Sequence, residues 1–456
     1  MRKHVRGLLA LSTFLVSFSA FADAPDPWAF VPEILSRIVP PHFPSRDFVI
    51  TKFGAHDGGD ASAAIAKAID ACSRAGGGRV VVPRGDYLTG PIRLHSHVDL
   101  HIEAGATLRF SQDPSRYPIV LTRWEGVELM NYSPLIDAFE CEDVAITGEG
   151  TLDGQADEAH WWNWKPEKSP QPQSDDRKAL FKQNDDGVPV AQRIYGAGHF
   201  LRPTFVEPYR CKNVLIEGVT IRNAPFWVLH PTLCTNVTIR RVTVIGHGPN
   251  TDGCDPESCR DVLIEDCVFD TGDDCIALKS GRNADGRRIN VPIENVVIRG
   301  CQMNAGHGGI TIGSEVSGGA RNIYAEKTRM DSPNLERGLR LKTNSARGGV
   351  IENIFARDIE IGNVQLAPIE IDLRYMSESG TFIPTVRNIV VERMHSAHSR
   401  HGLYIRGLDK TPLRGVVVRD SMFRGVTNGH VIEGSVDLTL IDVTVEAAPA
   451  KEEKKP

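Results

Sequence analysis

Two aspartates stand side by side in the segment TGDDCIALKSG, residues 271–281. Asp273 and Asp274 carry like charges, and neighbouring residues of a strand point to opposite faces, so stability alone does not favour the pair. A protonated carboxylic acid beside an ionised carboxylate can supply the acid and the base that glycoside hydrolysis requires. A solvated turn would carry the same two residues without any chemistry. The choice depends on which other residues the fold brings beside them.

The elements that must position these residues form a repeat: an Asn, Asp or Gly followed by alternating apolar and polar residues. From Asn213 on, successive copies begin 23, 25, 34, 27, 31, 35, 27 and 22 residues apart. Alternation with a period of two predicts short strands that each have one buried face. One copy is too small to bury that face alone, so neighbouring copies must stack. The copies begin at Asp143, Asn213, Asn236, Asp261, Asn295, Asn322, Asn353, Asn388, Gly415 and Asp437.

The unequal spacing argues against a propeller, whose blades need similar lengths. It fits a parallel β-helix, whose coils absorb extra residues in their loops. Asn suits the first position because it tolerates left-handed backbone and because stacked Asn amides can bond to one another. We therefore predict an all-β chain with a single-domain, right-handed parallel β-helix over residues 48–446.

An amphipathic helix is predicted ahead of the repeats, in DASAAIAKAIDACSRAGGG. Asp60 or Ser62 would cap its start, and Gly76 would end it. Such a helix is suited to cover the open N-terminal end of a β-helix. Its apolar face would consist of Ala64, Ile65, Ala68, Ile69 and Cys72.

The ends of the chain predict export. A basic start, the apolar run LLALSTFLVSF and Ala20-Phe21-Ala22 are typical of a signal peptide over residues 1–22, cleaved after Ala22. The protein would then be periplasmic or secreted; the alternative is a retained N-terminal anchor, which the cleavage site disfavours. Residues 23–47 are predicted to be a Pro-rich linker, and residues 447–456 a disordered charged tail. We expect a monomer.

The net charge and the cysteines indicate which ligands and which cross-links the chain is expected to have. The net charge of −6 at pH 7 does not suggest a nucleic-acid partner, and a polyanionic substrate would need a local basic patch. No Cys or His set has zinc-ligand spacing, so no metal or cofactor is expected. Four cysteines stand two residues before a repeat start and would form a column at about 4.8 Å spacing. Buried thiols are favoured over disulfides for Cys141, Cys211, Cys234 and Cys259.

Each copy also contains a second short strand. Their apolar residues alternate inward, so the residues between them form two lanes on the outer face. Five of these strands align, and they begin at residues 276, 310, 339, 369 and 403 with the sequences IALK, ITIG, LRLK, IEID and LYIR.

This alignment brings acidic and basic side chains together on one outer face. One coil back, Asp252 stacks on Asp274; one coil forward, His307 stacks on Asp273. Carboxylates this close share charge, so at least one of them should have a raised pKa. One coil further lie Arg340-Leu341-Lys342, whose two cations could bind the carboxylate of an acidic sugar.

Four short motifs carry a family resemblance. In order and spacing they are similar to the polygalacturonases, glycoside hydrolase family 28, over residues 49–445. The fourth motif more often reads Arg-Ile-Lys in that family, and Leu341 should be harmless because it points inward. The resemblance implies a pectin-lyase-like β-helix. The motifs are Asn250-Thr251-Asp252, Gly272-Asp273-Asp274, Gly306-His307-Gly308 and Arg340-Leu341-Lys342.

The resemblance implies hydrolysis of α-1,4-galacturonosidic bonds with inversion. Asp273 would protonate the leaving oxygen, Asp252 and Asp274 would activate the water, and His307 would tune the acid. Substrate would be polygalacturonate or oligogalacturonides. The implied substrate-binding residues are Asn250, Arg340, Lys342 and Tyr375.

Several features resemble the bacterial exo-acting branch, among them NAPFWVLHP and GHGGITIGSEVSGG. His230 and Glu315 within these segments are candidates for contacts with the terminal sugar. The spacing of 70 residues between Asp143 and Asn213 predicts a long loop that could block one end of the groove. Its Trp161, Trp162 and Trp164 would either stack on sugars or anchor the loop.

Other functions stay open at this point. An endo-polygalacturonase or a rhamnogalacturonan or xylogalacturonan hydrolase would share most of these residues, although rhamnogalacturonan hydrolases are expected to lack the Gly-His-Gly histidine. A pectate lyase would share the fold but use Ca²⁺ and an arginine base, which the four motifs do not fit. A non-catalytic adhesin would have no reason to gather acids, His, Arg and Lys on one face.

Overall fold

The structure is a computed structural model that describes residues 26–168 and 170–449. The predicted signal peptide and all but the first three residues of the predicted tail lie outside the described residues. In the part of the chain that is described, no helix has both the length and the apolar character needed to cross a bilayer.

Parallel strands dominate the fold, and the largest sheet contains 20 of them. Coil stacks on coil, so that each strand pairs with its counterpart one coil earlier and one coil later. This confirms the predicted parallel β-helix. The strands of this long sheet are Asp47–Val49, Gly78–Val82, Gly85–Thr89, Val98–Ile102, Ala106–Phe110, Glu142–Gly148, Thr151–Asp153, Lys212–Glu217, Thr220–Arg222, Thr235–Arg240, Thr243–Gly246, Arg260–Glu265, Val268–Thr271, Ile293–Arg299, Gln302–Ala305, Ala320–Met330, Val350–Asn363, Thr385–His398, Leu413–Val426 and Val436–Ala447.

A second face carries the predicted lanes and is called the site sheet. Its register is the one deduced from the sequence: Thr311 pairs with Arg340, Arg340 with Glu370, and Lys342 with Asp372. An isolated bridge between Cys254 and Ile276 extends the register one coil back. The strands are Ile276–Leu278, Ile310–Gly313, Arg337–Lys342, Ala367–Asp372, Leu403–Arg406 and Val431–Glu433, with Ile92–Leu94, Ile136–Phe139 and Val206–Tyr209 forming a separate sheet in earlier coils.

A ladder of side-chain amides fixes this register. Asn322 has left-handed backbone with φ of 56°; its amide nitrogen donates to Asn295, and its oxygen accepts from Asn353, at 3.0 and 2.9 Å. Equivalent bonds join Asn213 to Asp143 and Asn388 to Asn353, both at 2.7 Å. The predicted role of Asn at the start of each copy is confirmed.

The ladder is interrupted at Asp261, whose carboxylate has no N–H to donate to Asn236. The N-terminal segment closes this gap. The backbone N–H of Val39 donates to Asn236 Oδ1 at 3.0 Å, and the Arg37 guanidinium donates to Asp261 at 3.0 Å. Residues 26–47 were expected to be linker, so this ordered contact is a correction.

The corrected segment contains a 3₁₀ turn, Pro27–Phe30, and helix α1, Val31–Arg37. Trp28 is 5% exposed and meets the Tyr324 ring edge-on, with 5.5 Å between centroids. The segment covers an outward-facing apolar patch of the long sheet, which would otherwise be exposed to water. The patch consists of Leu263, Val297, Tyr324 and Phe355.

Helix α2, Ser62–Arg74, caps the first coil. Its buried residues are the five predicted from the helical spacing. The nine cysteines all lie in the described residues, and none of them forms a disulfide. In the predicted column, the backbone N–H groups of Cys141, Cys211 and Cys234 point to the sulfur one coil later at 3.3–3.4 Å.

The 70-residue interval contains more order than a loop. It holds the 3₁₀ turns Trp162–Trp164 and Val190–Gln192 and helix α3, Pro172–Asp185. An antiparallel hairpin, Ile119–Trp124 with Val127–Tyr132, and helix α4, Asn283–Ile289, pack beside it. The side chains that join α3 to the body of the protein are Trp124, Val127, Leu129, Leu180, Tyr195, Leu201, Phe226 and Trp227.

The Asn ladder predicts a specific stability loss. Asn322→Ala should lower the free energy of unfolding by about 2 kcal/mol. The variant loses two side-chain hydrogen bonds, and alanine tolerates left-handed backbone less well than asparagine does. Asn322→Gly, the matched control, loses the same bonds without the backbone cost and should retain more stability. Denaturant unfolding followed by circular dichroism measures both. Equal stability of the two variants would contradict the backbone part of this account.

Candidate active site

The acidic cluster, Asp252, Asp273 and Asp274, lies on one face of adjoining coils. One oxygen from each of the three carboxylates falls within 4.8 Å of the other two. Two glycines allow this packing. A Cβ on Gly308 would approach an Asp274 oxygen to 2.9 Å, and one on Gly306, where φ is 148°, would lie 2.4 Å from the Asp273 carbonyl. The Gly-His-Gly motif therefore brings its histidine against the cluster.

His307 bonds to Asp273 as the register predicts, with 2.9 Å between Nδ1 and Oδ1. This bond and the charge of Asp273 raise the pKa of His307 to about 9, against desolvation. Burial alone would raise the pKa of Asp273, but the bond and charge of His307 outweigh it and lower that pKa.

Asp274 is fully buried and bonds to the Lys342 ammonium at 2.6 Å and to the Arg340 guanidinium at 3.1 Å. Its burial favours the neutral form, yet these two cations lower its pKa. Asp252 differs, because burial and the charge of Asp273 raise its pKa well above the usual range. The expected raised pKa is present, but in the structure it belongs to Asp252 and not to Asp273, the predicted acid.

Lys279 lies beneath the cluster and was a lane residue without a predicted role. It is 2% exposed, and its ammonium is 3.8 Å from Asp252, 3.4 Å from Asp255 and 3.3 Å from Glu315. It also lies 4.3 Å from the centroid of the Trp227 ring. One buried cation therefore connects the acidic cluster to Glu315.

A cleft opens over the acidic cluster and has two lobes. The inner lobe is bounded by α3 and by the strand ends of the site sheet, and the outer lobe by the segment around Trp162 and by the turn at His247. Five residues line both lobes: Lys165, Gln171, Asn250, Asp273 and His307.

Asp273 thus stands at the junction of the two lobes, whereas Asp252 lines the inner lobe alone. Asn250 supports Asp273 with a weak amide contact of 3.4 Å to its Oδ2. The Oδ1 atom of Asn250 accepts from Lys165 at 2.7 Å and from Arg202 at 2.9 Å.

Of the other predicted substrate-binding residues, some line the cleft and others do not. Lys342, Tyr375 and Glu315 line the inner lobe. Arg340 is 5% exposed and lies behind Lys342, where Asp274 and Glu370 at 3.0 Å occupy its guanidinium.

The prediction that His230 contacts the terminal sugar is wrong. Its ring is completely buried, and its two nitrogens are bonded by Glu207 at 3.2 Å and Glu257 at 2.9 Å. These bonds raise the pKa of His230 to about 9 although desolvation opposes the charge. It supports Trp227, whose ring edge it meets with 5.0 Å between centroids.

The three tryptophans have different positions in the structure. Trp161 is 2% exposed and meets Trp164 and Tyr117 edge-on, so these rings anchor the insertion. Trp162 lines the outer lobe, and its indole N–H donates to the Ala224 carbonyl at 2.9 Å.

Residues 197–443 match the family model described as Glycosyl hydrolases family 28. This match covers more than half of the chain. The chain belongs to glycosyl hydrolases family 28. The four motifs identified in the sequence all lie inside the matched residues.

Solved and curated members of family 28 are similar to this chain. A crystal structure of a hyperthermoactive exopolygalacturonase from Thermotoga maritima is 45% identical, with a TM-score of 0.89 over 92% of this chain and 96% of that one. A "Probable polygalacturonase" from Vitis vinifera is 32% identical over 64% of this chain. An "Exo-poly-alpha-D-galacturonosidase" from Dickeya chrysanthemi is 25% identical over 75% of it. The matched regions span 55% and 62% of the lengths of these two relatives.

The donor atoms of this family 28 site also bear on metal binding. Three carboxylates within 4.8 Å of one another could surround a cation that prefers oxygen. Both oxygens of Asp274, however, already accept from Lys342 and Arg340, so protein cations supply the positive charge there. The arrangement is better suited to moving protons than to ligating a metal.

The His307–Asp273 pair predicts a titration that NMR can follow. The imidazole of His307 should titrate near pH 9 in the wild type, because the hydrogen bond that its ring donates to Asp273 stabilises the charged form. In Asp273→Asn the midpoint should fall toward 6.5, the ordinary value. Glu336→Gln, the matched control, removes a carboxylate 3.9 Å from Nε2 and should shift it much less. A midpoint that stays near pH 9 in Asp273→Asn would contradict the assignment.

Proposed function

We propose that the protein is an exo-acting polygalacturonase that hydrolyses the terminal α-1,4-galacturonosidic bond of polygalacturonate or oligogalacturonides. The observation that carries this proposal is the position of Asp273. Its carboxylate faces both lobes of the cleft, and helix α3 lines the inner lobe but not the outer one. A bond that crosses from one lobe to the other would pass over this residue.

Asp273 is the proposed general acid. It would protonate the oxygen that links the sugar in the inner lobe to the sugar in the outer lobe. Asp252 lines the inner lobe, and the buried carboxylate of Asp274 lies beside it; together they would orient and deprotonate the water. The walls of the cleft bring cations to both sides of Asp273, which suits a substrate that carries one carboxylate on every sugar.

The proton distribution of the free site supports a role for the substrate itself. His307, Lys342 and Lys165 all lower the pKa of Asp273, whereas the pKa of Asp252 is raised, so Asp252 holds a proton more readily than Asp273 or Asp274. A substrate carboxylate near these cations would offset their charge and raise the pKa of Asp273. The proton would then shift from Asp252 toward the leaving oxygen, and Asp252 would become the base.

Inversion is proposed from the family resemblance and not from distance. Acid and base carboxylates of inverting enzymes usually lie about 6.5–9.5 Å apart. Here the closest oxygens of the acidic cluster lie within 4.8 Å. The anomer formed first therefore has to be measured.

Exo action is supported by the wall around the inner lobe. Gln173, Ser174 and Arg177 of α3 line it, and Arg177 is bonded to Glu125 at 2.8 Å. This wall is fixed to the body of the protein by Leu180 of α3, which packs in one cluster with Trp124 and Phe226. The similar proteins from Thermotoga maritima and Dickeya chrysanthemi carry exo-acting names, which adds support. Export to the periplasm or medium, as the N-terminal residues predict, would bring the enzyme to this substrate.

Loss of the acid predicts loss of turnover. Asp273→Asn should reduce kcat on polygalacturonate by about 10²–10⁴-fold, because the variant cannot protonate the leaving oxygen. Asp420→Asn, the same change at an exposed position, should leave kcat unchanged. Thermal unfolding of both variants checks that the fold is intact. Near-normal turnover by a folded Asp273→Asn protein would refute the assignment.

The products formed early in the reaction test the proposed function as a whole. With polygalacturonate and a chelator present, the first products should be mono- or digalacturonate alone, and proton NMR should detect the β-anomer first. A ladder of sizes would mean an endo-acting enzyme with the same chemistry. Unsaturated products would mean a lyase, and no products would refute galacturonan as the substrate.

A further inference from the structure

The charges around the inner lobe are almost all paired. Five of its six cationic or imidazole side chains have a carboxylate oxygen within 4.0 Å: Arg177 with Glu125, Lys279 and Arg282 with Glu315, His307 with Asp273, and Lys342 with Asp274. Lys165 is the exception, because no carboxylate oxygen of the described residues comes within 4.0 Å of its ammonium.

Lys165 is also held in place. It directly follows the 3₁₀ turn Trp162–Trp164, and the rings of Trp161 and Trp164 on either side of Trp162 anchor the insertion. Its side chain is half-buried, and Asn250 Oδ1 accepts from it at 2.7 Å. One bond of this kind leaves two ammonium hydrogens without an assigned acceptor.

Close to Lys165 lies another cation, Arg202, that also has no carboxylate partner in the part of the chain that the structure describes. Arg202 is completely buried, and its bonds all go to neutral acceptors: Gln173, Asn250 and the carbonyls of Pro225 and Pro249. Lys165 and Arg202 thus share Asn250 Oδ1, and neither cation has a carboxylate oxygen of the described residues within 4.0 Å. Burial lowers the pKa of both groups, so an anion that reached Lys165 would be bound more strongly than in water.

We propose that Lys165 binds the carboxylate of the galacturonate on the leaving side of the scissile bond and selects acidic over neutral sugar at that position. This inference rests on the proposed function. Lys165 lines both lobes, but the outer lobe is formed largely by its own segment, with Trp162, Asn163 and Pro166 beside it. A sugar that enters the outer lobe would therefore meet the Lys165 ammonium next to Asp273.

The position also joins specificity to catalysis. Asn250 bonds Lys165 on one side and approaches Asp273 on the other, at 2.7 and 3.4 Å. A carboxylate that neutralised Lys165 would remove one of the cations that keep Asp273 ionised. A leaving sugar that carries a carboxylate would therefore favour the protonated form of Asp273, and a neutral leaving sugar would not.

The test is a double-mutant cycle in binding, in which the ligands differ only in the leaving sugar. Asp273→Asn, which should not turn over, is titrated by calorimetry with digalacturonate and with galacturonyl-α-1,4-galactose, with and without Lys165→Met. Digalacturonate should bind about tenfold more tightly than the neutral-leaving disaccharide, and Lys165→Met should abolish that preference. Lys165→Arg should restore most of it. Lys178→Met, an exposed lysine of α3 whose side chain is 78% exposed, should change neither affinity.

The outcomes separate this inference from the proposed function. Equal weakening of both disaccharides by Lys165→Met, or no preference in the Asp273→Asn background, overturns the carboxylate contact alone. The same holds if digalacturonate fails to bind while the wild type still cuts polygalacturonate. If the wild type cuts no galacturonan, the proposed substrate is refuted first, and the Lys165 contact is refuted with it.

Discussion

The register of the stacked coils is the constraint on which the rest of the structure depends. Asp252, the Asp273–Asp274 pair and His307 come from three different coils, and they meet only because every coil begins at the same angular position. A slip of one residue would turn the outward lanes into the core. The Asn ladder opposes such a slip, since each amide has one partner below and one above.

The site is an electrostatic consequence of that register. Four carboxylates, counting Asp255, and three cations, Lys279, Arg340 and Lys342, are brought together within a few strands, and each affects the protonation of its neighbours. Burial favours the neutral acid at Asp252, whereas Asp274 stays ionised between two cations. Neither state belongs to the residue by itself. Because the balance is between groups, a charged substrate that enters the cleft changes the acidity of the residues it meets.

How much the sequence could predict follows from this distinction. The alternating pattern determined the strands, the lanes and the acidic cluster, and the helical spacing determined the buried face of α2. It could not determine which charges neutralise one another, so it gave no sign that Glu370 pairs with Arg340 or that Glu207 and Glu257 enclose His230.

The two misjudged segments have physical explanations as well. Helix α3 buries mainly Gln173, Leu180 and Asn184, so it has no apolar stripe to reveal it. The N-terminal segment binds to Leu263 and Val297, which are outward residues where alternation predicts polar ones. Both segments are held by contacts that lie far away in the sequence. Local patterns carry no information about such contacts, and the same limit applies to Lys165, which has no motif around it.

The repair of the ladder at Asp261 has a consequence for the order of assembly. Arg37 and Asp261 are separated by 224 positions, so the docking surface of α1 is synthesised long after α1 itself. The first helix has to wait until the coils at Asn236 and Asp261 have stacked. It then docks across coils that have already formed, so its docking requires the middle of the solenoid to be in the correct register.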